Sequence, residues 1–157
     1  MGMDLMVNLY KRTNNKLDDY KNIEYVEELC YARKFWGLWN ALDYCPLVNQ
    51  DDYYTVVLTL EAWDNLMNKI EPMYETILKA IYMYNEEEYD EIDNDSFLGE
   101  LDRVLDSYER WYDDVFGSTV LGYDFDAYSL QRWYEARDKV RKYLNNKEYV
   151  VLVINSW

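Results

Sequence analysis

The chain has 157 residues, half of them hydrophobic, with 31 acidic against 16 basic residues and a formal net charge of −15. That length and apolar content support a real core in spite of the charge, and we expect a single domain over residues 1–157. Such a charge repels nucleic-acid phosphate and anionic lipid and attracts basic protein surfaces, so neither direct nucleic-acid binding nor membrane binding is expected. In chain order, "DLMVNLYK" from Asp4 to Lys11 alternates loosely and is rich in strand formers, which predicts a strand, followed by a polar loop through "TNNKLDD". From Asn22, a good N-cap, Tyr25, Leu29, Ala32, Trp36 and Trp39 recur at helical spacing, which predicts a helix ending near Asp43, before Pro46. "YYTVVLTL" from Tyr53 to Leu60 predicts a second strand, and Thr59 can cap a helix with Trp63, Leu66, Met67 and Ile70 inward. Pro72 either kinks that helix or starts a new one carrying Tyr74, Ile77, Leu78 and Ile81.

Beyond an acidic linker at residues 86–95, Ser96 opens a helix with Leu98, Leu101, Leu105, Tyr108, Tyr112 and Val115 on one face. Gly117 and Gly122 mark a turn, Asp126 caps a fourth helix with Leu130, Trp133, Val140 and Leu144 inward, and "EYVVLVINSW" closes as an apolar strand. The expected class is α+β: a small, mostly antiparallel sheet from N-terminal, middle and C-terminal strands, the last of them central, packed with about four helices.

The chain contains no histidine, which removes the usual general base near neutral pH, the Ser-His and Cys-His pairs, and most zinc and non-haem iron sites. Cys30 and Cys45 are the only cysteines, no basic and apolar leader opens the sequence, and no apolar run approaches the roughly 18 residues of a membrane span. We therefore expect a cytoplasmic protein with free thiols, no cofactor and no metal. Cys30, with Arg33 and Lys34 one turn away on the predicted helix, reads as a small buried hydrophobe rather than a nucleophile. "DNDSFLGE" misses the EF-hand register, because Phe97 falls at position 5, Gly99 at position 7 and Val104 at position 12. "FGSTVLG" fits neither a nucleophile elbow nor a phosphate-binding loop.

The beginning "MGMDLMVNLYKR", the segment "EELCYARKFWGLWNAL", the stretch "FGSTVLGYDFDAYSLQRW" and the ending "INSW" together resemble a group of small bacteriophage and prophage proteins. In that group a start like MGLDMYL, a Tyr-Trp-Arg-Lys helix, an FGST-like turn and a Ser-Trp ending recur. Here "YARK", Tyr31 to Lys34, stands in place of the Trp-Arg-Lys element, and a long acidic insert precedes the turn. The resemblance implies phage origin and no particular chemistry.

The charge itself is localised. Residues 85–114 hold thirteen acids and two bases, Arg103 and Arg110, for a local net of −11. On a helix from Ser96, the steps of four, three and four from Asp102 to Asp106, Glu109 and Asp113 gather four carboxylates in one stripe, and Arg103 and Arg110 are expected on the far side. The stripe spans about 16 Å at 1.5 Å per residue, comparable to a short run of nucleic-acid phosphates. We expect Asp102, Asp106, Glu109, Asp113, Glu86, Glu87, Glu88, Asp90, Trp111 and Tyr112 to bind a partner, with Tyr84, Tyr89 and Tyr108 as further aromatic neighbours. The partner would be a basic protein such as a CRISPR effector nuclease, and the chain a non-enzymatic, anti-CRISPR-like inhibitor of host defence. Exposed aromatics and an uncovered sheet edge also allow a homodimer. Two alternatives are a small-ligand or carbohydrate-binding protein and a hydrolase working with carboxylates alone.

Overall fold

Leu5, Val7 and Leu9 alternate along the first strand and are fully buried, so one face of β1 (Asp4–Arg12) seeds the core. The structure, a computed structural model, describes residues 4–42, 45–50, 53–84, 95–117 and 123–156. β2 (Ile23–Arg33) pairs antiparallel with β1, and β3 (Leu47–Gln50) forms a second hairpin with β4 (Tyr53–Val57). β5 (Tyr149–Ser156) lies between the two hairpins and pairs antiparallel with both β1 and β4, giving the order β2-β1-β5-β4-β3. The expected α+β class and the central place of the last strand are both observed.

In this register Leu5, Val7 and Leu9 stand opposite Asn155, Val153 and Val151, and Val56 continues the row from β4. Apart from Asn155, these residues share one core with the buried faces of the helices. The helices are α1 (Trp36–Asn40), α2 (Leu60–Ile70), α3 (Tyr74–Tyr84), α4 (Asp95–Phe116), α5 (Tyr123–Glu135) and α6 (Arg137–Leu144). Thr59 caps α2 as expected, its hydroxyl accepting from Ala62 N at 3.2 Å. Pro72 sits in a 3-10 turn, Glu71–Met73, that ends α2 and leads into α3, so two helices replace one long one. α4 closes at Gly117, whose φ of 87° suits a residue without a Cβ.

Four expectations are corrected. The helix expected from Asn22 to Asp43 is the strand β2 followed by the short α1. Two register shifts against β1, between Val7 and Asn8 and between Leu9 and Tyr10, each insert one extra residue in β2. The bulges break the two-residue alternation and leave apolar residues at spacings that imitate a helix. Lys34, at a φ of 55°, turns the chain out of β2. Second, β3 was not expected; at four residues it is too short to show a pattern. Third, the strand expected through Leu60 ends at Val57. Fourth, the last long helix is two, α5 and α6, and Asp126 is no cap: it lies inside α5 with 1 % of its surface exposed.

Candidate acidic interface on helix α4

α4 is amphipathic over 22 residues, and its inner face is aromatic. Tyr108 and Tyr112 are fully buried, Phe35 stacks on Tyr112 at 5.5 Å, and Phe116 meets Phe35 edge-on at 4.9 Å. The Tyr112 hydroxyl donates to the buried carboxylate of Asp126 in α5. At Gly37 in α1 a Cβ would fall 2.5 Å from the Cβ of Phe116, so α1 approaches the C-terminal end of α4 as closely as a glycine allows. These contacts hold the helix against the core and fix the direction of its outer face.

Asp102, Asp106 and Asp113 are exposed on that outer face and Glu109 beside them is half-buried, so the expected stripe is present on one element. Glu86, Glu87, Glu88 and Asp90, like Tyr89, lie outside the described residues. Tyr112 is corrected as a partner-binding residue: with no exposed surface and its hydroxyl on Asp126, it serves the core, and Tyr108 is likewise buried. Trp111 is half-buried and touches both surroundings, with Phe116 edge-on at 5.7 Å inside and a groove outside.

The arginines are also corrected. At 3.6 residues per turn, Arg110 and Arg103 lie about 40° and 60° from Asp106 around the helix, not opposite it. Arg110 donates to Asp106 in an exposed i,i+4 ion pair. That hydrogen bond and the charge of Asp106 raise the pKa of Arg110. Next to it, a shallow groove of about 410 Å³ runs between α4 and the 3-10 turn, lined by Met73, Trp111, Arg103, Arg110, Asp106 and Asp114. The outer face is thus graded, with carboxylates along one edge and mixed charge around an indole along the other. Between positions 102 and 114 it holds five acids against two arginines.

Local electrostatics along the stripe are mixed, the Arg110 ion pair at Asp106 working against repulsion between neighbouring carboxylates. Asp102 with Asp106 and Glu109 with Asp113 are like-charged i,i+4 pairs, each costing a few tenths of a kcal/mol in an isolated helix. Asp113 and Asp114 stand in the last turn, where the helix dipole favours cations, and no basic residue is there.

Elsewhere, Cys30 is buried in β2 rather than in a helix, and burial, reinforced by Glu28, pushes its thiol well above the ordinary value, which makes it a poor nucleophile. Two of the basic residues near the end of α6 make ion pairs across the fold, Lys139 with Glu27 of β2 and Arg141 with Asp64 of α2, the latter at 3.1 Å. Among the described residues, no cluster of three or more Asp, Glu or Cys side chains is arranged to hold a metal ion, and no helix is long and apolar enough to cross a membrane. No family model, no curated protein and no solved structure matches this chain.

Proposed function

We propose that the protein is a phage-encoded, non-enzymatic inhibitor of a host defence system, and that the outer face of α4 docks on a basic, nucleic-acid-binding surface of a nuclease effector of the CRISPR type. The observation that carries this reading is the placement of exposed Asp102, Asp106 and Asp113 on a helix whose other side is locked by a buried aromatic cluster. A rigid row of carboxylates presents charge at fixed spacing, which a groove lined by Lys and Arg can accept in place of phosphates. Trp111 in its groove supplies the kind of aromatic anchor that concentrates binding energy at interfaces. The resemblance to phage proteins supports the biological setting.

The test is inhibition of purified CRISPR effector nucleases, measured as target cleavage at low and at physiological salt. The wild type is expected to inhibit one effector, more weakly as salt rises. The triple variant Asp102→Lys, Asp106→Lys, Asp113→Lys, shown by circular dichroism to fold, is expected to lose inhibition. Unchanged inhibition by the folded triple variant would refute docking through α4, and inhibition of no effector by the wild type would refute the reading as a whole.

A further inference from the structure

In a chain with nearly twice as many acids as bases, cations are expected to find carboxylate partners, and at one end of the sheet they do not. Where β1 runs out and the turn before β5 returns, Lys11, Arg12 and Lys147 line a pocket of about 510 Å³ together with Thr13, Asn14 and Leu17. Glu148 is the single acid in its wall, and among the described residues none of the three cations forms a salt bridge.

The pocket is built rather than incidental. Asp19 ties the loop between β1 and β2 together, accepting from Asn14 Nδ2 at 2.9 Å, Asn22 Nδ2 at 2.7 Å and the Lys21 and Asn22 backbone N–H groups at 3.0 and 3.1 Å. Asp19 is therefore committed to the loop frame and is not a counter-charge for the pocket. Arg12 Nη1 donates to the Leu17 carbonyl at 2.9 Å and the Lys16 carbonyl at 3.3 Å, and its Cζ lies 5.9 Å from the centre of the Tyr20 ring, so the guanidinium is held in place. Its Nε is buried and has no hydrogen-bond partner. Arg12 is thus a fixed positive charge in the wall of a pocket whose other two cations, Lys11 and Lys147, make no ion pair.

We infer that this pocket binds a small phosphate-bearing molecule of two or more negative charges. Arg12 supplies a fixed guanidinium charge whose Nη1 is committed to the loop carbonyls, and Lys11 and Lys147 add two further charges to the wall, which together favour the denser charge of phosphate. Leu17 offers an apolar wall to an organic portion, and the volume suits a molecule up to nucleotide size. The site uses β1, its loop and the turn into β5, none of which belongs to α4, so it stands or falls separately from the acidic interface.

The experiment is isothermal titration of the full chain at low salt with inorganic pyrophosphate, with adenosine diphosphate, and with citrate as a carboxylate of similar charge. Binding of pyrophosphate or the nucleotide is expected, and tighter binding of the nucleotide would assign the organic portion to the Leu17 wall. The double variant Lys11→Gln, Lys147→Gln removes no described hydrogen bond or ion pair, and it should weaken binding by roughly tenfold or more, the loss expected for two charge-assisted contacts. Arg12→Gln should weaken it as well, with circular dichroism to separate lost binding from a loosened loop. No heat with either phosphate ligand, equal affinity in the double variant, or tighter binding of citrate than of pyrophosphate would each overturn the inference.

Discussion

Asp19 shows how much a single half-buried side chain can organise. Hydrogen bonds from Asn22 and Asn14, then those from the Lys21 and Asn22 backbone, hold its carboxyl well below the ordinary carboxylate range. A carboxyl whose folded pKa is depressed stabilises the fold above its unfolded pKa and loses that contribution as pH falls toward the folded value. The loop at residues 13–22 should thus be unchanged from neutral pH down to about 4 and loosen only below it. Asp19→Ala should show the loosened state already at pH 7, read as faster amide hydrogen exchange at Lys21 and Asn22; unchanged exchange there would refute the assigned role. Tyr112 teaches the complementary lesson about reading a residue from sequence. The sequence puts it both on the apolar face of α4 and among the expected aromatic anchors, and the structure decides for the first, because its hydroxyl has an internal partner in Asp126, fourteen residues on. Only the tertiary pairing of α4 with α5 reveals that partner.

Among the elements, α4 is the one whose outer face was most legible, because its steps of four and three are intact through Phe116. Arg103 and Arg110 lie outside the stripe without lying opposite it, because the angular step of the helix puts both within a turn of Asp106. β2 was illegible for a different reason. Its bulges at two points of the β1 register scramble the alternation, and a bulge is settled by the partner strand, not by the residues that bulge. The basic pocket is not legible in the sequence because its cations come from two ends of the chain, Lys11 and Arg12 against Lys147, joined by the β1–β5 pairing. The junction of α1 with α4 gives a prediction at this scale. Gly37→Ala places a methyl group 2.5 Å from Phe116 Cβ and 2.9 Å from Phe35 Cε2, a contact that backbone and rings must move to relieve. Overpacking of this kind costs about 1–3 kcal/mol, measurable as a lower urea midpoint, and a midpoint equal to the wild type would show that the junction yields freely.

For the whole molecule, the dominant quantity is the net charge of −15. Self-repulsion at that charge opposes compaction, and it is screened as the Debye length falls from about 30 Å at 0.01 M salt to about 8 Å at 0.15 M. The melting temperature should rise over that interval, by about 2–4 °C for each kcal/mol of repulsion removed. A fall with salt would mean that attractive ion pairs, such as those of Lys139 and Arg141, outweigh the repulsion. The strand order adds a consequence that concerns time rather than energy. β1 and β2 can zip together soon after they emerge from the ribosome, and β3 and β4 likewise, but the strand that joins the two hairpins is β5, synthesised last of the five. At 5–20 residues per second, the edge of β1 that carries Leu5, Val7 and Leu9 waits on the order of ten seconds for its partner. During that interval the nascent chain displays a ready strand edge, the feature that chaperones and neighbouring copies on the same message compete to cover.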